Sequence, residues 1–336
     1  MVSSREIHLV GRPTGMPTDK CFQLVSTPVP DLKDGQILVQ NTWMSVDPYM
    51  RGRMDDTESY IEPFALGEVM EGGAIGRVVE SRSSDFAVGD CVESMQGWRE
   101  YFVSTADASD LVRHDPDRLP WQAYLGTAGM TGLTAYAGLL LCADAQAGDT
   151  VFVSGAAGAV GSAACQIARI KGCRVVASAG SADKIRWLTD VAGVDMAFNY
   201  KEVDSVSAAL KVAAPQGIDV YFENVGGEHL RAAIQHMNQY GRVAVCGMIA
   251  DYNEVQTDET GLFAQILTKS LLVKGFIVLD FVPQFEMMRK QLAEWILSGE
   301  LKSEESVYDG IENAPAAFMG LFEGRNIGKM LVKLAD

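Results

Sequence analysis

The stretch Ser154-Gly155-Ala156-Ala157-Gly158-Ala159-Val160-Gly161 follows the apolar run Thr150-Val151-Phe152-Val153 and leads into the helix-like Gln166-Ile167-Ala168-Arg169. A strand, a turn of small residues and a helix, in that order, present backbone N–H groups at a helix N-terminus, where they suit the pyrophosphate of a dinucleotide. The spacing is Gly-x-x-Gly-x-x-Gly rather than the commoner Gly-x-Gly-x-x-Gly. Taken alone it reads equally as a tight strand-to-helix connection with no ligand.

The middle of the chain decides between the two. Short apolar runs at 174–178, 196–200, 218–222, 242–246 and 271–276 alternate with helix-like segments and, with the first, make six strands. Continuous apolar strands between helices predict an α/β fold with a doubly wound parallel sheet covered on both faces, the Rossmann arrangement. The glycine turn falls after the first strand, where that arrangement needs it.

The end of the second strand bears on the cofactor. An NAD site usually has an Asp or Glu about twenty residues beyond the glycines, which accepts the ribose 2′-hydroxyl and repels a 2′-phosphate. Here the chain reads Ser178-Ala179-Gly180-Ser181-Ala182-Asp183-Lys184-Ile185-Arg186. The strand end bears no acid, a helix is expected to start near Ser181, and Lys184 lies one turn in, so the pattern favours NADP(H) over NAD(H). The competing reading has Ser181 as a plain cap with Lys184 and Arg186 solvated, and Asp183 weighs against a phosphate.

At 336 residues the chain suggests about two domains. A hydrophobic content of 48% and a charged content of 21% are those of a soluble globular protein. No apolar run reaches membrane-spanning length and the first residues lack a signal-type core, so the expected location is the cytoplasm. A net charge of −16 argues against nucleic acid and anionic membrane as partners, and leaves any phosphate to be held by local cations such as Lys184. Cys21, Cys91, Cys142, Cys165, Cys173 and Cys246 form no Cys-x-x-Cys pair, and His8, His114, His229 and His236 stand apart from them. Buried reduced thiols and no metal are the expectation.

The beginning reads differently. Short β-like runs at 36–40, 76–80 and 101–103, separated by turns such as Ala87-Val88-Gly89-Asp90, predict a compact β-rich domain. After an amphipathic helix at 284–299, the segment 328–334 reads as a last strand returning to that domain. The expected division is 1–122 with 310–336 for the β-rich domain and 123–309 for the nucleotide domain, with the substrate in a cleft between them.

Several longer motifs stand out: Ser45-Val46-Asp47-Pro48-Tyr49-Met50-Arg51-Gly52-Arg53-Met54, Gly67-Glu68-Val69-Met70-Glu71-Gly72-Gly73, Gly97-Trp98-Arg99-Glu100-Tyr101, Gly132-Leu133-Thr134-Ala135-Tyr136, Asn199-Tyr200-Lys201 and Phe222-Glu223-Asn224-Val225-Gly226-Gly227. On these the chain resembles, over nearly its whole length, the zinc-independent branch of the medium-chain dehydrogenase/reductase superfamily. Within it the resemblance is to the leukotriene B4 12-hydroxydehydrogenase / 15-oxo-prostaglandin 13-reductase and alkenal double-bond reductase family, which includes bacterial curcumin reductase. Zinc-dependent relatives place a His between the equivalents of Gly67 and Glu68, which are adjacent here.

The resemblance implies a GroES-like fold for the β-rich domain and NADPH-dependent reduction of the carbon–carbon double bond of an α,β-unsaturated ketone or aldehyde. It implies that Gly158, Ala159, Val160 and Gly161 contact the pyrophosphate and that Lys184 and Tyr200 contact the adenosine phosphate end. Asn224, the segment from Cys246 and Gly247 to Tyr252, Phe276, Ile277, Val278 and Asn326 would line the rest of the cofactor, with Met130 in the turn beneath the nicotinamide. In such a reaction hydride adds to the β-carbon and charge gathers on the carbonyl oxygen as an enolate, so a donor aimed at that oxygen lowers the barrier. Tyr252 is the family-matched donor, since a phenol stays protonated at neutral pH; a loop tyrosine packed over the cofactor is the plainer alternative. Tyr49 borders the active cleft in the family, as a substrate-orienting group or as interdomain packing. Arg51 and Glu68 read as a charge pair supporting that loop.

One departure is Thr131, where the family commonly has proline before Gly132. A quinone or carbonyl oxidoreductase of the same superfamily, and a catalytically idle NADPH-binding protein, remain as competing functions. The strand at 273–279, last in the expected sheet, offers an edge for a homodimer, to which the resemblance also points. The loops at 55–64 and 251–260 are expected to shape the pocket for a small enone or enal.

Overall fold

The chain begins as antiparallel β structure, built on alternating burial. In β1 (Ser3–Leu9) Ser4, Glu6, Ile7 and Leu9 are buried and Ser3 and Arg5 exposed, and the strand pairs with β2 (Phe22–Pro28). β3 (Gln36–Ser45) is followed by a single helical turn, α1 (Met50–Arg53), and then by β4 (Ala74–Ser81), β5 (Cys91–Ser94), β6 (Tyr101–Thr105) and β7 (Val112–His114). The computed structural model describes residues 2–250, 252–253 and 260–335; Asp251 and residues 254–259, part of the loop expected to shape the pocket, lie outside the described residues.

The chain then alternates helix and strand: α2 (Met130–Tyr136), which widens without a break into a π-helical turn at Ala137–Cys142, β8 (Thr150–Val153), α3 (Ala159–Ile170), β9 (Arg174–Ala179), α4 (Ala182–Asp190), β10 (Met196–Asn199), α5 (Val206–Ala213), β11 (Ile218–Glu223), α6 (Gly227–His236), β12 (Met237–Val245), α7 (Thr260–Thr268), β13 (Leu272–Gly275) and α8 (Phe285–Leu297). The six strands form one parallel sheet in the order β10-β9-β8-β11-β12-β13. All four residues of β8 are buried, as expected of a strand covered on both faces. The order reverses between β8 and β11, so the crevice at their C-terminal ends is the topological switch point where such sheets bind ligands.

The strand expected at 273–279 is shorter. It ends at Gly275, and Val278–Gln284 folds as a 3-10 helix. Asp280 Oδ2 accepts the Ile277 N–H (3.2 Å), which bends the chain out of the sheet, while Phe276 turns inward against Phe222, ring centroids 6.5 Å apart.

The chain closes with β14 (Glu305–Asp309), α9 (Ala314–Phe322) and β15 (Lys329–Lys333). β15 lies between β14, parallel to it, and the second half of β3, antiparallel, in the order β14-β15-β3-β4-β5-β7; β6 pairs with the first half of β3. Trp98, buried with Met44, Met50, Met54 and Met70, stacks 6.2 Å from Phe22 and meets Phe318 edge-on at 6.0 Å. Two compact units result, Met1–Leu125 with Glu305–Asp336, and Gly126–Glu304. No helix among the described residues is long and apolar enough to cross a membrane.

Candidate active site

The glycine turn is shaped by two backbone requirements. Gly155 sits at φ +57°, a left-handed conformation that glycine adopts without cost. At Gly161 a Cβ would lie 2.4 Å from the Gly155 carbonyl oxygen, so only glycine lets α3 pack this close to the turn. Gly158 is the N-cap of α3. The N–H groups of Ala159, Val160 and Gly161 have no acceptor within the helix and stand at its positive end, an arrangement that fits a pyrophosphate.

The end of β9 gathers cations. Ser181 caps α4, its Oγ accepting from Lys184 N (3.4 Å). Lys184 is held below the ordinary lysine range by burial and then by the charge of Lys201, so two ammonium groups approach one another. Asp183, which weighed against a phosphate, is engaged by Arg186 on the exposed side of the helix. Ser178 Oγ is buried at the strand end with no hydrogen-bond partner. Tyr200 Oη lies 2.8 Å from where a Cβ on Gly180 would stand, so the bare backbone at Gly180 makes room for the phenol. His229 meets the Tyr200 ring edge-on at 5.0 Å; burial pushes its pKa down to about 4, leaving it neutral near pH 7. Two cations, a hydroxyl and a phenol suit a phosphate monoester. Lys201, Ser178 and His229 have no evident role in the sequence pattern; the single signal is that Lys201 directly follows Tyr200.

At the switch point, the residues after β11 carry the next loop. Glu223 O accepts from Cys246 N (2.9 Å) and Gly247 N (3.1 Å), Asn224 O from Ile249 N (3.2 Å), and Val225 O from Ala250 N (3.0 Å). The loop folds back on itself, placing Tyr252 Oη 3.1 Å from where a Cβ on Gly247 would stand. Tyr252 is 36% exposed, so its phenol borders solvent. Burial pushes the Cys246 thiol up to about 12, which makes it a packing group rather than a nucleophile. Phe276 packs beneath, against Phe222 and close to Gly138 in the π-helical turn. Ile277 and Val278, half-buried, begin the 3-10 helix. Met130 opens α2 and is 37% exposed; Thr131 behind it is buried, its hydroxyl without a partner.

Tyr49 and Asn326 belong to the other unit. Asp47, two residues before Tyr49, takes hydrogen bonds from Ser45 Oγ and from the buried Lys329 Nζ (2.7 Å), which also donates to Val46 O (3.0 Å). This latch fixes the Asp47-Pro48-Tyr49 segment. Burial first, then the charge of Asp47, raises the Tyr49 pKa far above its ordinary value, so it is a neutral phenol. Asn326 is buried and donates through Nδ2 to Gly328 O (2.8 Å). The pairing expected between Arg51 and Glu68 does not form. Arg51 pairs with Asp55 (2.7 Å), four residues on and therefore on the same side of the helical turn, and its Nε donates to Gly15 O (3.1 Å). Among the described residues no group of three His, Cys, Asp or Glu comes together in a way that could hold a metal.

Residues 5–112 match a family described as the N-terminal domain of oxidoreductase, and residues 159–298 one described as zinc-binding dehydrogenase. The chain is 48% identical over 338 residues to the putative NADP-dependent oxidoreductase YfmJ of Bacillus subtilis, covering 99% of this chain and 98% of that protein. It is 42% identical to the NADP(+)-dependent 2-alkenal reductase of Nicotiana tabacum, with 99% of this chain and 98% of that one covered. The crystal structure of CurA from Vibrio vulnificus in complex with NADPH superimposes with a TM-score of 0.93 at 37% identity, covering 99% of both chains. The chain belongs to the zinc-independent medium-chain dehydrogenases/reductases, in the family of the prostaglandin, alkenal and curcumin reductases.

Proposed function

We propose that the protein is an NADPH-dependent reductase of the carbon–carbon double bond of α,β-unsaturated ketones and aldehydes. The observation that carries this reading is Tyr252, a solvent-bordering phenol held on a loop at the switch point of the parallel sheet. The names of the relatives supply the reaction class.

Bound NADPH supplies a hydride to the β-carbon of the substrate. The first turn of α3 holds the pyrophosphate through its N–H groups, while Lys184, Lys201 and Tyr200 hold the 2′-phosphate. Tyr252 donates a hydrogen bond to the substrate carbonyl oxygen, where negative charge accumulates as an enolate. That bond strengthens as the charge grows, so it stabilises the transition state more than the bound substrate. Tyr49, as an orienting phenol, and Asn326, Asn224, Cys246, Gly247, Phe276, Ile277, Val278 and Met130, as cofactor contacts, complete the proposed set.

The second proposal concerns assembly. Among the described residues β13 is one of the two edges of the six-stranded sheet, with Leu272 and Val273 exposed, and Phe263 and Leu267 of α7 are 71% and 78% exposed in the single chain. An unpaired apolar edge is a template for another strand, and pairing with its twin about a two-fold axis joins two sheets into one homodimer.

The test of function follows NADPH oxidation with a 2-alkenal, an aryl enone, a quinone and a saturated ketone. Turnover confined to the enal and enone, with product saturated at the α,β bond, is the expected result. Reduction of the quinone alone would move the protein to quinone reduction, and tight NADPH binding without turnover would make it an idle binding protein.

A further inference from the structure

The turn after β11 uses its two sides differently. Its carbonyls hold residues 246–250, as described above. Its N–H groups converge on one side chain: Glu223 Oε1 accepts from Val225 N (2.5 Å), Gly226 N (3.0 Å) and Ser154 Oγ (2.9 Å). Ser154 in turn accepts at Oγ from Asn224 N (3.0 Å) and Tyr221 Oη (3.1 Å), and its carbonyl takes Asn224 Nδ2 (2.8 Å). Three consecutive residues, Asn224, Val225 and Gly226, are thereby fixed against the end of β8.

Glu223 itself is fully buried and, among the described residues, pairs with no cation and has no partner at Oε2. A carboxyl in such a place is a poor packing group, because an apolar side chain of similar volume would avoid its desolvation. What it supplies is an acceptor for donors that would otherwise be stranded, at the one turn from which the Tyr252 loop hangs.

Resting on the reading above, we propose that Glu223 is a positioning residue of the reductase. Through Oε1 it locks the 224–226 turn against Ser154, and through the carbonyls at 223–225 it sets the loop that carries Tyr252 and the cofactor contacts at Cys246 and Gly247. It touches neither substrate nor cofactor and acts through Tyr252 and Asn224.

The test compares Glu223→Gln and Glu223→Leu in the full-length protein. The readouts are NADPH Kd by nucleotide fluorescence, and kcat and KM for a 2-alkenal, each also in the Tyr252→Phe background. Gln keeps an acceptor where Oε1 stands, so Kd and kcat are expected within about threefold of wild type. Leu strands three donors, so Kd is expected to rise about tenfold and kcat to fall at least as much. If the effect on kcat runs through Tyr252, that fall is smaller once Tyr252 is already phenylalanine. Wild-type Kd and kcat in the Leu variant, losses in the Gln variant as large as in Leu, or kcat losses that simply multiply in the double variant would each overturn the proposal. Should the Leu variant fail to fold, Ser154→Ala takes its place, since it removes only the bridging hydroxyl. Raised Kd there supports the lock, and unchanged Kd and kcat sink it. NADPH Kd is read without substrate, so absence of enone turnover in the wild type would defeat the proposed function while the Kd comparison still judges Glu223.

Discussion

Glu223 also carries a signature in the pH dependence of stability. Burial holds its carboxyl above the ordinary carboxylate range, opposed by the hydrogen bonds from Gly226, Val225 and Ser154. Its titratable neighbours, the Tyr221 hydroxyl and the Cys246 thiol, are both pushed up by burial and stay neutral. A glutamate of raised folded pKa takes up a proton on folding between its unfolded value of about 4.3 and its folded one. In that window the unfolded chain binds fewer protons, so stability falls as pH rises. Glutamine does not titrate, and Glu223→Gln is expected to show a flatter profile, with its stability relative to wild type improving above about pH 4.3 in urea melts. Identical profiles would mean that Glu223 keeps an ordinary pKa. Lys184 and Lys201 make a second prediction: changing either to Ala is expected to weaken NADPH about tenfold, roughly 1.4 kcal/mol, and NADH hardly at all, by fluorescence titration. Equal losses for both nucleotides would remove the 2′-phosphate from their shared role. Lys184 was legible because the end of β9 bears no acid and a helix starts just beyond it. Lys201 was not, because it depends on the parallel register that sets Asn199 beside Ala179 and so brings two distant strand ends together.

At the level of elements, the parallel strands and the caps at Ser181 and Ser205 follow from local chemistry, apolar runs bounded by small polar residues. The end of β13 does not. Val278 and Leu279 read as strand, and only the reach of Asp280 back to Ile277 turns them into a 3-10 helix. The Arg51 partner was missed for a similar reason, since a short turn after a proline settled it. On the β13 edge, Val273→Lys is expected to convert a dimer to a monomer by light scattering, because an ammonium group opposite its own copy repels it. A wild-type monomer would dispose of the pairing. In α2, Thr131 occupies the second position, where the backbone N–H has no acceptor within the helix, and its hydroxyl is buried unpartnered. Thr131→Pro removes both groups and restricts the unfolded chain, against the extended preference it imposes on Met130. A net gain of about 0.5–1 kcal/mol is expected as a raised Tm; a fall would show that Met130 resists that restriction.

For the molecule as a whole, the absence of three converging ligand groups among the described residues leads to a further expectation. Dialysis against EDTA should leave the NADPH-dependent rate unchanged, and a loss restored by zinc would contradict it. The position of β15 has a different consequence, for the order in which the protein can be made. A ribosome delivers the chain at about 5–20 residues per second, N-terminus first. Every strand of the six-stranded sheet lies between Thr150 and Gly275, so the nucleotide unit can close as soon as that stretch has emerged. The second half of β3 cannot, because its neighbour on that side is Lys329–Lys333, synthesised long after it. Until then β3 waits with an open edge, available to chaperones or to other nascent chains. A stop codon shortly before Lys329 would remove an interior strand from a sheet begun at Gln36, and with it the lysine that latches Asp47.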